Sequence, residues 1–525
     1  MKNNINISAH KDKILIFFLF LFSLLINQYY GNKGIFPLDS FAYFDTGFRI
    51  LLGEYPFKDY WIIHGPFIDY FQSFFFIIFG TNWQSYVLHA SFVNALLALT
   101  TFIVLKNFKL NIYLCFVYSL FVSVLAYPSS GTPFADHHSA FFSLLGVYFL
   151  ILAISNEHKL YWILLPFFFC FAFLSKQVPS FYIIMSTAVI LTLYSLINKK
   201  FYWIKYSLSS LVLFVIFLMI MGKVQGISFS SFIDQYILYP QTLGAERYND
   251  IDISVKNILY RFKFIYIVAL PLLYINLKKI FFEKNYLKEK DFLNFLILFF
   301  LTFSLILHQI LTKNQIFIFF LIPILTAFTH INLIKYKQAP KFIIILIFTV
   351  CLFATFKYHI RFNEDRKFHE LNNVNFHSAV PAKDIDKKFS GLKWITPEYK
   401  NNPEKEIISI LEVKSYLEND KRKKMIMTHY SFFSIILDQK LFYPTRFITS
   451  HGVSFPVKGN KYFHKYQDFF IKKITENNIE VIYTIKPVDS YFPKELLGEK
   501  CIKSSSINSI LAAHLILECD NLKSN

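Results

Sequence analysis

FIDYFQSFFFIIFG, residues 67–80, decides how the rest of the chain is threaded, because it is apolar yet short. A helix that crosses a bilayer needs roughly 20 apolar residues, and a run of about 14 is more often interfacial or re-entrant. Upstream lies ILIFFLFLFSLLINQYY at 14–30. Downstream lie apolar blocks near 84–106, 111–127, 139–155, 160–175, 177–197, 203–222, 262–277, 292–311, 316–334 and 342–356. Charge arbitrates the short one. With Lys11 and Lys13 inside, the next clearly basic loop, Lys106–Lys109, falls inside only if 67–80 does not cross. The same alternation then places Lys159, Lys199–Lys200, KKIFFEKNYLKEK at 278–290 and Lys335–Lys341 inside.

The expected fold is therefore an α-helical polytopic membrane protein of about 11 spans, with a transmembrane domain over 1–356 and a polar tail, 357–525, on the outer face. Composition agrees: 54% of the 525 residues are hydrophobic, 17% are charged and 65 are Phe. The net charge of +19 does not point to nucleic acid, because the Lys residues sit mostly in short clusters between apolar runs or in the tail. The N-terminus has the charge and length of a signal but no small-residue cleavage site after it, so it reads as an uncleaved first span.

The tail changes composition abruptly. KKMIMTHY and IEVIYTIKP read as buried strands, and PEKEIISILEVKSYLEND and YFHKYQDFFIKKITENN carry helical periodicity, which predicts a small α/β domain. Neither GxGxxG nor GxxxxGK[ST] occurs, so no nucleotide site is expected. Cys115, Cys170 and Cys351 lie in apolar runs and no CxxC occurs, which argues against a thiolate metal site. Cys501 and Cys519 are the tail's cysteines, and an oxidising outer compartment makes them a disulfide pair, with two unpaired thiols as the other reading.

On this topology the outer loops are 31–83, 128–138, 176, 223–257 and 312–315. They collect Asp39, Asp45, Asp59, His64, Asp136, His137, His138, Lys176, Asp234, Glu246 and Arg247, with His308 just short of the last loop. In the first loop, Asp39, Tyr43, Thr46 and Arg49 share one helical face, with Phe41, Phe44, Phe48 and Leu52 mostly on the other. The pattern predicts an amphipathic helix on the outer membrane surface, with a plain N-cap as the alternative role for Asp39. Lys176, in FLSKQVPSF, stands at the outer end of a helical hairpin against the positive-inside trend, as a phosphate-meeting cation or a snorkelling side chain. Arg247, in YPQTLGAERYNDI, is a second cation, for which a solvated loop charge is the simpler reading. HQILTKNQ at 308–315 adds polar groups at a membrane edge. Asp59, His64, Asp136, His137 and His138 have ligand types suited to a divalent metal, and equally to ordinary hydrogen bonding.

LDSFAY, followed by LLGEYPFKDYWIIHGPFIDYFQSFFFIIFG, resembles the first outer loop of the GT-C superfamily of membrane glycosyltransferases, which includes the protein O-mannosyltransferases and the lipid A aminoarabinose transferases. Asp39 matches the first acid of the family's acidic motif, Gly53 to Phe57 its G-x-x-P-Y element, and HGPF at 64–67 replaces its double proline. Ser40 stands where a second acid is usual. TPFADHHSAFF supplies Asp136 where the family carries an Asp in the next outer loop. The resemblance covers about the first 200 residues as a pattern and the later spans only as an architecture.

It implies a sugar taken from a polyprenyl-phosphate carrier at the outer face of a bacterial inner membrane, and an acceptor that is a glycan, lipid or protein of the cell envelope. Asp39 is then the base, Asp136 a supporting acid, and Lys176, Tyr43, Arg49, His64 and Arg247 line the substrates, with a divalent metal as the one cofactor to test for. The rivals are a transporter or flippase of a lipid-linked saccharide and a non-catalytic assembly protein.

Overall fold

Ten helices among the described residues are long and apolar enough to cross a membrane, from Lys11–Gly31 to Lys341–His369. The computed structural model describes residues 2–283, 285–313, 318–336, 340–449 and 452–517. The protein is a multi-pass membrane protein with a small sheet-bearing domain towards its C-terminus. The chain divides into two compact units. One gathers Met1–Asn32, Val87–Leu218 and Arg247–Phe368; the other gathers Lys33–Tyr86, Met219–Glu246 and His369–Asn525.

In the first unit, polar side chains and glycines hold apolar helices together, since apolar burial alone gives helices in lipid no preference for each other over the acyl chains. Asn27 Nδ2 donates to Ser91 Oγ at 2.9 Å and to the Gly131 carbonyl at 3.1 Å. Asn94 Nδ2 donates to the carbonyls of Ser23 and Ser123. Gly131 lies so close to Gly31 that an added Cβ would stand 2.5 Å from the Gly31 Cα, and its φ of +77° itself favours glycine.

The eleventh expected span is Lys159–Phe173, at 15 residues shorter than the other ten. It folds back on Ala135–Asn156 through Glu157, whose left-handed backbone ends the first helix. Its far end returns Lys176 to Asp136, in the first turn of the partner helix. At 1.5 Å per residue the short helix is about 22 Å long against about 33 Å for its partner, so flanking residues supply the rest of the crossing.

Parity agrees. Lys33–Tyr86, Met219–Glu246 and His369–Asn525 form one body, so an even number of crossings must separate them. Only with Lys159–Phe173 counted do six crossings separate the first segment from the second and four the second from the third. Phe67–Phe79 has both flanks inside that same body and does not cross. On a background without native cysteines, Lys58→Cys and Glu404→Cys are expected to react with an impermeant maleimide from one side of sealed membranes, and Lys109→Cys and Lys199→Cys from the other. Labelling of Lys58→Cys and Glu404→Cys from opposite sides would overturn the count.

The second unit carries a four-stranded sheet in the order Lys424–Met427, Val481–Ile485, Leu511–Ile516, Ile502–Ser506. The first pair is parallel and the others antiparallel. Asn402 caps Pro403–Asn419 by accepting from Lys405 N, with Pro403 at the first helical position, where a missing N–H costs nothing. The unit is larger than the expected tail domain. The first loop is built into it: Ile35 N donates to Ile395 O, Trp61 N donates to Pro444 O, and Phe41 packs against Trp394, Phe389 and Phe432.

Towards the C-terminus the boundary between the two units falls at Phe368/His369. Buried Arg366 donates to the carbonyls of Pro128, Ser129 and Ser130, which ties the end of the last span to the rest of the helical unit. Cys501 is a buried, disulfide-bonded cysteine, and Cys519, its expected partner, lies outside the described residues.

The expected surface helix differs from the pattern. It is broken at Phe41 into Pro37–Ser40 and Ala42–Leu51, and Tyr43, Thr46 and Arg49 are as buried as Phe41 and Phe44. The polar face is covered because it finds polar partners within its own unit.

Candidate catalytic site

Asp136 lies in the first turn of Ala135–Asn156, after the extended residue Phe134 and the helix-stopping Pro133. Lys176 Nζ donates to both carboxylate oxygens, at 2.8 and 2.7 Å, and His308 Nε2 lies 2.8 Å from Oδ1. The side chains are 8%, 11% and 1% exposed for Asp136, Lys176 and His308, so the ion pair is largely withdrawn from solvent. The Lys176 carbonyl accepts from Ser139 Oγ and Ser180 Oγ, which fixes the turn that carries the ammonium. Arg247 lies in the same unit, near enough to His308 to interact with it electrostatically. All of these residues belong to the helical unit.

An ion pair held this way carries more than its own binding energy. Moving two charges out of water costs several kcal/mol per ion, which the pair's attraction offsets only with good geometry and further hydrogen bonds. His308 and the second Lys176 contact supply those bonds. An anion able to replace Asp136 at Lys176 would meet a cation already desolvated and aimed.

The five candidate metal ligands do not assemble. His137 Nε2 pairs with Ser129 Oγ at 3.0 Å. His138 Nε2 faces His89 Nε2 at 2.8 Å, and its Nδ1 faces the Tyr127 hydroxyl. Asp59 accepts from Tyr55 N at 2.8 Å and stands 3.5 Å from Lys473 Nζ, while His64 stacks on Phe447. Among the described residues no three His, Cys, Asp or Glu side chains could share a metal ion.

Asp39 is half-buried in Pro37–Ser40, and its N–H donates to Phe36 O. Phe36 occupies the N-cap position and no side chain caps the turn, so the carboxylate of Asp39 does not serve as a cap. Tyr43 and Arg49 are buried in a polar network. The Arg446 guanidinium sits 4.6 Å over the Tyr43 ring. Arg49 Nε donates to Glu54 at 2.6 Å, Nη1 donates to Tyr443 O at 3.1 Å, and the guanidinium stacks 4.2 Å over Tyr60.

Beside them Asp69 accepts from Thr46 Oγ1 at 2.7 Å, from the Tyr60 hydroxyl at 3.2 Å and from Arg446. Asp45 is buried with Oδ1 unbonded, and burial pushes its carboxyl up to about 7 against the pull of the Arg49 guanidinium. Glu54, Asp69 and Arg446 were not singled out from sequence. For Asp69 a signal existed: an acid inside an apolar run is costly and calls for a partner. Nothing local marks Arg446 or Glu54.

No protein-family model matches the chain, and no curated protein matches it. Among solved structures, it is similar to a crystal structure of the Archaeoglobus fulgidus oligosaccharyltransferase in complex with Zn and sulfate. The TM-score is 0.45 and the identity 12%, over 89% of this chain and 68% of that chain.

Proposed function

We propose that this protein is an integral membrane glycosyltransferase that moves a sugar from a polyprenyl-phosphate-linked donor to a cell-envelope acceptor at the outer face of a bacterial inner membrane. The observation that carries the reading is the buried cluster of Asp136, Lys176 and His308 in the helical unit. Ionisable groups at membrane depth are expensive and mark functional sites. Asp136 lies in the first turn of its helix and His308 in the last turn of Lys290–Thr312, so the cluster sits at helix ends. A transporter sets its charged sites near the bilayer midplane instead. The resemblance of the 38–80 segment to the GT-C first loop supplies the reaction class.

In this reading Lys176 and Arg247 receive the donor phosphate, and Asp136 holds Lys176 in place until it arrives. His308 keeps the Asp136 carboxylate bonded once the ammonium has turned to phosphate. The acceptor oxygen bonds to the anomeric carbon, the bond from that carbon to the phosphate oxygen breaks with its electron pair leaving on phosphate, and a carboxylate base takes the acceptor's proton, the role for which Asp39 is the candidate from the sequence. The sheet-bearing unit positions the acceptor. Basic loops at Lys106–Lys109, Lys199–Lys200 and 278–290 set the N-terminus inside and the sheet-bearing unit outside.

Lys176→Gln is expected to raise the donor concentration needed for half-maximal transfer and to lower turnover. Lys176→Arg retains part of the activity, because charge is kept and geometry changed. Transfer assayed in membranes against a series of polyprenyl-phosphate sugars checks this. Donor kinetics unchanged in the Gln variant would return Lys176 to a snorkelling role.

A further inference from the structure

Within the sheet-bearing unit, residues 239–246 and 452–461 enclose a cavity of about 310 Å³, at the lower end of the roughly 300–1,000 Å³ typical of small-molecule sites. Its walls are fixed without a ligand. The Tyr239 hydroxyl donates to the Gly452 carbonyl, and Thr242 Oγ1 donates to Tyr239 O at 2.8 Å. Asn460 Nδ2 donates to Thr242 Oγ1 at 3.1 Å, and Asn460 Oδ1 accepts from Tyr462 N at 3.0 Å. Asn460 therefore ties the loop to the helical segment, and a ligand need not pay to order it. Gly459 has φ of +96°, and an added Cβ there would meet no atom within 4 Å, so the backbone at the rim is uncovered.

The chemistry of the lining is uneven. Lys458, Lys461 and Glu246 all face the cavity, and none forms an ion pair with another described residue. The Lys461 ammonium lies 5.2 Å over the ring of Tyr462, the next residue. Tyr239, Leu243 and Val457 give an apolar surface on which the C–H face of a sugar ring can rest. Two ammonium groups against one carboxylate favour an anion, and Glu246 accepts hydroxyl hydrogens beside it.

We infer that this cavity binds an anionic saccharide, with the acid group of a uronic or sialic sugar on Lys458 and Lys461 and ring hydroxyls on Glu246. Its role as the acceptor subsite rests on the glycosyltransferase reading; the binding itself does not. The full chain purified in detergent should bind hyaluronan tetrasaccharide, an alginate tetramer or sialyllactose saturably at low salt, and bind neutral cellotetraose much more weakly. In the double variant Lys458→Gln/Lys461→Gln, affinity for the anionic probe falls by about tenfold or more, while the unfolding temperature stays that of the parent, because both side chains are exposed. Glu246→Gln weakens binding without removing the preference for an anion.

Failure of all three anionic probes would overturn the site. So would equal affinity in the double variant, or inorganic phosphate competing as well as the saccharides, which would mark a phosphate site instead. Anionic-saccharide binding by a parent chain that transfers no sugar from any polyprenyl-phosphate donor would remove the transferase reading and keep the saccharide site.

Discussion

Asp39→Asn lowers sugar transfer by about 10²–10⁴-fold with the chain folded and inserted, if the carboxylate takes the acceptor's proton. The substitution keeps size and hydrogen-bonding capacity and removes basicity. It does not disturb a helix cap, because Phe36 and not Asp39 occupies that position. Its backbone bond to Phe36 O is untouched by a change of side chain. Transfer measured in membranes with matched protein amounts is the check, together with the unfolding temperature of each variant. Activity within a few-fold of the parent would leave Asp39 without a catalytic role and make Asp136 the next carboxylate to replace.

Asp69→Leu is expected to destabilise the sheet-bearing unit by about 3–5 kcal/mol, the usual cost of stranding one member of a buried ion pair. Arg446 is 2% exposed, and its Nε and Nη1 already lack hydrogen-bond partners, so loss of Asp69 leaves the guanidinium with the Gly65 carbonyl and the face of Tyr43. Thr46 and Tyr60 lose their acceptor in the same step. The double variant Asp69→Leu/Arg446→Met removes both charges and should recover most of the loss, since apolar replacements of such pairs are often neutral or better. Thermal unfolding of the four chains in one detergent gives the coupling. A single variant within about 1 kcal/mol of the parent would show that water reaches the pair.

Local patterns carried the membrane helices. Apolar runs of span length became helices at nearly the expected positions, and the short run at 67–80 was separated from the spans by charge alternation alone. Asp136, Lys176 and His308 were each visible as polar residues at membrane edges. Their meeting was not visible, because contacts across 40 and 172 residues leave no mark in a window of sequence. The helical wheel of 39–52 failed for a related reason: periodicity tells which residues share a face, and not what that face meets. Arg49 and Thr46 looked solvated because Glu54 and Asp69, their partners, belong to other turns of the chain.

The interlaced make-up of the sheet-bearing unit also governs the order in which the protein can be made. Its first segment, with Phe41, Phe44 and Trp83, leaves the ribosome before any later span, yet Phe389, Trp394 and Phe432, against which Phe41 packs, follow the last one. At about 5–20 residues per second, that wait is on the order of tens of seconds. During it a strongly aromatic loop stands outside the membrane without the surface it was shaped for. A chain that stops before residue 389 never supplies that surface, so this unit closes only after the last span has been made.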